Sequence, residues 1–86
     1  MSTMKAGSFY RADKELLAAI AKEIKRLRKA KKLTIEDLSE ICGLHSKYLQ
    51  TIERNHRNMS ISVFVQLAKS LEISPPKLLE KALKTK

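Results

Sequence analysis

The chain has 86 residues, 18 of them Lys or Arg and nine Asp or Glu, which gives a net charge of +9 with 43% hydrophobic residues. A chain this short forms one small core, its single cysteine excludes an internal disulfide framework, and its apolar runs are too short to span a membrane. The basic balance predicts a polyanionic partner, for which DNA, RNA and an anionic membrane all qualify.

The first residues differ from the rest in pattern. Residues 1–12 are polar and without period, so we expect a flexible N-terminal tail followed by a single domain over residues 13–86. The tail lacks the apolar core of a secretion signal, which predicts a cytoplasmic protein. Helix 1 is predicted from an N-cap at Asp13 to about Lys31, because apolar residues recur at intervals of three and four.

Residues 35–52 are predicted to form helices 2 and 3, separated by one turn. The hydroxyl of Thr34 can cap helix 2, and Gly43, between the two apolar faces, can adopt positive φ and turn the chain sharply. This is helix-turn-helix geometry. The predicted apolar faces are Ile35, Leu38, Ile41 and Cys42 in helix 2, and Tyr48, Leu49 and Ile52 in helix 3.

Two further helices are predicted after a polar loop at Asn55. Ser60 can cap helix 4, and Ser74 can cap helix 5 with Pro75 at its first position, where a missing N–H costs nothing. We therefore expect a compact all-α fold of five helices. The predicted buried residues are Ile61, Phe64, Leu67, Ala68 and Leu71 in helix 4, and Leu78, Leu79, Ala82 and Leu83 in helix 5.

A longer pattern resembles the lambda-repressor-like (Xre-type) family of DNA-binding domains. Its residues are Leu33, Thr34, Leu38, Gly43, Leu44, Tyr48, Leu49, Ile52, Glu53 and Asn55, followed by Ser60, Phe64, Leu67, Ala68, Leu71, Ile73 and Leu78. The chain departs from the family pattern mildly, with Ser39 in place of the usual alanine and Asn55 in place of the usual glycine. The resemblance implies a five-helix, lambda-repressor-like domain with its helix-turn-helix at helices 2 and 3.

Helix 3 of such a domain enters the major groove, where each base pair shows a distinct set of donors and acceptors. With its apolar residues turned inward, its outward face carries no carboxylate. The resemblance to the family's reading positions implies that Ser46, Lys47 and Thr51 read base edges, with Gln50 next. Lys47 would favour guanine, Gln50 adenine and Thr51 the methyl group of thymine. The alternative is an exposed helix face that only contacts water.

Contacts to the DNA backbone are expected on either side of helix 3. The amides at the start of helix 2 can bind phosphate, as can basic and polar side chains around helix 3. The candidates are Thr34, Ile35, His45, Arg54, His56, Arg57 and Asn58.

The resemblance also implies one structural ion pair. In the family, an arginine five residues before the leucine-threonine pair that opens helix 2 meets the glutamate that ends the recognition helix. Arg28 and Glu53 occupy those positions. We expect a partly buried, bidentate pair that orients helix 3 relative to helix 1.

Neither a metal site nor catalysis is predicted. Cys42 and His45 have C-x-x-H spacing with His56 downstream, but Cys42 lies on the core face and a fourth ligand is missing. No histidine has a plausible nucleophile and orienting acid, and there is no glycine-rich phosphate loop. We expect a protein that is not an enzyme and has no cofactor.

The predicted function is a sequence-specific, DNA-binding transcriptional regulator that acts as a homodimer on a pseudo-palindromic operator in double-stranded DNA. Apolar residues left for the dimer surface are Val63, Val65, Leu79 and Leu83, with core packing as the alternative for the last two. No effector domain follows the motif, so we expect no small-molecule effector.

The run IERNHRNMSISVF is similar to controller proteins of restriction-modification systems, which suggests an autoregulatory controller. A phage-type repressor and the DNA-binding antitoxin of a toxin-antitoxin pair remain alternatives. RNA or membrane binding through helix 1 is a further one, although the surface is poor in the aromatic residues that stack on single-stranded bases.

Overall fold

A computed structural model describes the backbone of residues 6–54 and 58–85, and the side chains of residues 14–54 and 58–84. In these ranges the chain forms five helices: α1 (Ala6–Ala30), α2 (Ile35–Cys42), α3 (Ser46–Glu53), α4 (Ile61–Ser70) and α5 (Pro75–Thr85). α1 packs on α5 and α3, and α4 packs on α2 and α5. The predicted all-α fold with a helix-turn-helix at α2 and α3 is confirmed.

The start of α1 corrects the sequence prediction. The helix begins at Ala6, so Asp13 lies inside it rather than at its N-cap, and residues 6–12 are helical rather than an irregular tail. Residues 1–5 lie outside the described part of the chain. The segment has no proline, and once a packed helix has nucleated, each added residue gains a backbone hydrogen bond at little further cost.

The end of α1 turns through a left-handed residue that is not glycine. Lys32 has φ 60°, and the next N–H, that of Leu33, donates to the carbonyl of Arg28 at 3.1 Å. The turn after α4 repeats this conformation with Glu72, also at φ 60°. A salt bridge from Lys31 to Glu72 joins the two turns. The C-terminal ends of α1 and α4 are thereby held together.

Side-chain caps fix the starts of α2, α4 and α5, as predicted. The hydroxyl of Thr34 accepts from the N–H of Asp37 at 3.0 Å. The carboxylate of Asp37 accepts in return from the N–H of Thr34 at 2.9 Å, which completes a capping box and holds the pKa of Asp37 below its ordinary value. Ser60 and Ser74 cap α4 and α5 in the same manner, through the N–H groups of Val63 and Lys77.

The core lies between all five helices and is built from the predicted stripes, with four exceptions. Ile41 and Ile61, expected in the core, are 55% and 79% exposed, because the buried line of α2 is only Leu38 and Cys42 and that of α4 begins at Phe64. Leu79 and Leu83 are 36% and 51% exposed, so α5 buries only Leu78 and Ala82. The largest fully buried side chains are Ile24, Leu38, Leu49, Ile52, Leu67, Leu71 and Leu78.

One buried charge was not predicted. Glu23 of α1 is 4% exposed and accepts hydrogen bonds from Arg26, whose Nη2 donates to Oε2 at 2.5 Å and whose Nε donates to Oε1 at 3.1 Å. The hydrogen bonding by Arg26, helped by the charge of Lys81 on α5, lowers the pKa of the Glu23 carboxyl. Glu23 therefore stays ionised where α1 meets α5.

The Arg28–Glu53 pair is present and bidentate. Nε of Arg28 donates to Oε2 of Glu53 at 2.7 Å, and Nη2 donates to Oε1 at 2.9 Å. The third nitrogen, Nη1, donates to the carbonyl of Leu33 at 2.7 Å. Both charged side chains are nearly buried, at 10% and 7% exposed. One guanidinium thus joins α1, the segment before α2 and the end of α3.

Replacing Glu53 with alanine should therefore destabilise the fold. The substitution leaves the buried Arg28 charge without its partner, and we expect a loss of about 3 kcal/mol in the free energy of unfolding, measured by urea denaturation. Glu80→Ala is the control, because the Glu80 carboxylate is exposed and its bonds to Lys77 and Lys84 are long, at 3.8 and 4.0 Å. That variant should stay within about 0.5 kcal/mol of the unaltered chain. Equal losses in the two variants would contradict this assignment.

Candidate nucleic-acid interface

The turn between α2 and α3 is held by bonds from both sides. Gly43 has φ 77° and donates its N–H to the carbonyl of Ser39 at 2.8 Å. Ser39 Oγ donates to the carbonyl of Leu44, and Nε2 of Gln66, from α4, donates to the carbonyl of Cys42. A Cβ at Gly43 would meet nothing closer than that Gln66 nitrogen at 4.0 Å. The glycine is therefore needed for its backbone angle and not for space.

α3 begins with a histidine cap. Nδ1 of His45 accepts a hydrogen bond from the N–H of Lys47 at 3.3 Å, which satisfies one of the free amides at the helix start. With Nδ1 acting as the acceptor, the neutral ring carries its hydrogen on Nε2, where it can donate to a phosphate or a base.

Three of the four predicted base-reading residues line one of two pockets beside α3. Lys47 and Thr51 line a pocket of about 300 Å³ together with His45 and Tyr48, which we call the α3 pocket. Gln50 lines a second pocket of about 260 Å³, which we call the basic pocket, with Lys25, Arg28, Ile35, Glu53 and Arg54. Ser46, the first residue of α3, is half-buried. The structure therefore groups Gln50 with predicted backbone-binding residues, and groups His45 with base-reading ones.

One cation of the basic pocket, Lys25, was not predicted from the sequence. Lys25 of α1 and Arg54, just after α3, are both exposed, whereas Arg28 and Glu53 neutralise each other. Ile35 is the first residue of α2, so its N–H has no acceptor within the helix. The sequence could have indicated Lys25, because it lies three residues before Arg28 and therefore on the same face of α1. The arrangement suits a phosphate group.

The other residues predicted to bind the DNA backbone differ in how accessible their hydrogen-bonding groups are. The N–H of Thr34 is already engaged by the Asp37 carboxylate, so the predicted amide contact from Thr34 is occupied, while its hydroxyl hydrogen remains available. Asn58 is exposed beside α4. His56 and Arg57 lie outside the described residues.

The predicted dimer residues are of two kinds. Leu79 and Leu83 lie one turn apart on α5 and are exposed, so the core alternative is wrong for both. Val63 and Val65 are half-buried against the core. Of the four predicted dimer residues, the α5 pair is therefore the one more open to a second molecule.

Within the described ranges, no helix has the length and apolar character needed to cross a membrane. Cys42 is a buried thiol, 4% exposed, as predicted.

Comparisons with known proteins agree with this geometry. The helix-turn-helix family profile matches residues 24–78. The control protein C.SmaI of Serratia marcescens is 42% identical over 60 residues, which cover 70% of this chain and 71% of that protein. Among solved structures, the restriction-modification controller protein C.Esp1396I, a tetramer in complex with its natural 35 base-pair operator, is 36% identical with a TM-score of 0.75 over 80% of this chain and 91% of that one.

A second solved structure, the restriction-modification controller protein C.AhdI from Aeromonas hydrophila, is 35% identical with a TM-score of 0.69. The similarity covers 72% of this chain and 94% of that one.

Proposed function

The chain belongs to the helix-turn-helix family that includes the restriction-modification control proteins, and we propose that it is a sequence-specific transcriptional regulator that binds a pseudo-palindromic operator as a homodimer. It acts by binding DNA rather than by catalysing a reaction. Its compartment is the cytoplasm. More specifically, we propose that it is an autoregulatory controller of a restriction-modification system. The relative C.Esp1396I, crystallised with its operator, supports double-stranded DNA as the partner.

One observation carries this proposal. The recognition helix α3 is fixed at its C-terminal end by a buried ion pair, and its single carboxylate, Glu53, is consumed in that pair. Its remaining outward side chains are neutral or cationic, and they lie beside a pocket of exposed cations. A rigid helix with that face matches the acceptor-rich major groove flanked by phosphates.

Binding divides into two roles. Lys25, Arg54 and the Ile35 N–H contact phosphate, which sets the register and supplies affinity that depends on salt. Lys47 and Thr51, with Ser46 and Gln50, contact base edges and supply the preference for sequence. One such helix reads only a few base pairs, so two copies about 34 Å apart are needed to define an operator.

The experiment that tests the function is selection of bound duplexes from a random pool at moderate salt. Moderate salt is required because a +9 protein binds any DNA at low salt. We expect a palindromic consensus whose half-sites lie about one helical turn apart. A pool with no enriched sequence would contradict the proposal.

Lys25 should account for one phosphate contact. For Lys25→Ala, we expect the slope of log K against log salt to become shallower by about one, with the selected consensus unchanged. Lys69→Ala is the matched control, since Lys69 is an exposed lysine in a different groove, beside Lys31 and Ile41. Titrations at several salt concentrations measure both. The same slope in all three proteins would show that Lys25 does not touch phosphate.

Leu83 should belong to the dimer surface. Leu83→Glu places a charge on the exposed apolar face of α5, and we expect weaker self-association by sedimentation equilibrium and weaker operator binding. Ile41→Glu makes the same change at an isoleucine of similar exposure, 55% against 51%, and should leave self-association unchanged. A monodisperse dimer in Leu83→Glu would refute this placement.

A further inference from the structure

The hydroxyl group of Thr51 is already engaged in a hydrogen bond within α3. Its Oγ1 donates to the backbone carbonyl of Tyr48 at 2.6 Å, one turn back along α3. A hydroxyl has one hydrogen, so this bond leaves Thr51 with no donor to offer a base. What it can still present is an oxygen lone pair and its methyl group.

The same bond also fixes the methyl group. Threonine is branched at Cβ, so its two γ atoms share one torsion, and holding Oγ1 against the helix sets the position of Cγ2 as well. In the major groove guanine offers only the acceptors N7 and O6, which Thr51 cannot satisfy. Thymine offers a methyl group beside the acceptor O4.

The rest of the α3 pocket matches that edge of thymine. The half-buried Tyr48 lines the same pocket as Thr51 and contributes apolar surface. Lys47 is exposed at the same pocket, and its ammonium is a donor of the kind that O4 requires. The pocket thus places an apolar contact and a cationic donor side by side.

We propose that the α3 pocket binds the major-groove edge of one thymine in each operator half-site. The 5-methyl group packs against Thr51 and Tyr48, and O4 accepts from Lys47. Thr51 selects thymine through its methyl group and not through its hydroxyl. This assignment rests on the proposed DNA-binding function.

The test separates the two parts of the Thr51 side chain. Thr51→Val keeps the methyl and removes the hydroxyl, whereas Thr51→Ser keeps the hydroxyl and removes the methyl. Each thymine of one half-site in the selected duplex is replaced in turn by uracil, which lacks only the 5-methyl group. Binding of the three proteins to each duplex is then measured by titration at one salt concentration.

We expect the unaltered chain and Thr51→Val to bind about fourfold more weakly when one particular thymine is replaced, as suits the loss of one buried methyl group. Thr51→Ser should discriminate between the thymine and uracil duplexes clearly less than the unaltered chain does, because only Tyr48 then contacts the 5-methyl group. Thermal melting checks that both variants fold, and if valine lowers the melting temperature, the serine variant decides alone.

Two results would overturn the proposal. One is a Thr51→Ser protein that discriminates thymine from uracil at that position as strongly as the unaltered chain does. The other is a folded Thr51→Val protein that loses its sequence preference while Thr51→Ser keeps it, which would mean that the hydroxyl reads the base. If the proposed DNA-binding function itself is wrong, the result differs from both of these, because the unaltered chain would then prefer no duplex at all.

Discussion

The placement of the recognition helix depends on a buried pair of opposite charges, Arg28 and Glu53. Because a buried charge is costly unless it is paired and hydrogen-bonded, any movement of α3 away from α1 would leave both groups unsatisfied. The third Arg28 bond, to the carbonyl of Leu33, extends the same constraint to the segment that leads into α2. Reading bases requires side chains held to within a fraction of an ångström, and this pair provides the rigid base for them.

The same ion pair affects the surface that we propose for DNA binding, on which attraction to DNA and choice of sequence belong to different residues. By removing the Glu53 carboxylate from the surface, it leaves α3 with no exposed negative charge toward the groove. In the proposed complex, Lys25 and Arg54 of the basic pocket supply attraction to any phosphate. In the same proposal, Lys47 and Thr51 of the α3 pocket contact base edges, whose donors and acceptors differ from one base pair to the next. A +9 chain would bind DNA without preference if only the first group were present.

Local signals were sufficient for most of the fold. Ser60, Ser74 and Pro75 predicted helix starts, and Gly43 predicted the turn, because caps and left-handed residues depend on a few neighbouring atoms. The resemblance supplied the register of Arg28 with Glu53. The predictions that were wrong concern burial, which depends on tertiary packing and is not specified by the sequence pattern. Neither the exposure of Ile41 and Ile61 nor the burial of Glu23 follows from helical period, and the division of the base-reading residues between two pockets depends on how α1 lies beside α3.

The central claim is that α3 reads the major groove of two half-sites related by a two-fold axis. Methylation interference on the selected operator tests it most directly, because dimethyl sulfate modifies guanine at N7 in the major groove and adenine at N3 in the minor groove. The account predicts that N7 methylation of guanines inside the two symmetric half-sites, about ten base pairs apart, blocks binding because the added methyl group occupies the groove that α3 enters, and that N3 methylation within the half-sites has no effect. Interference confined to adenine N3, or a single unsymmetric position, would contradict it.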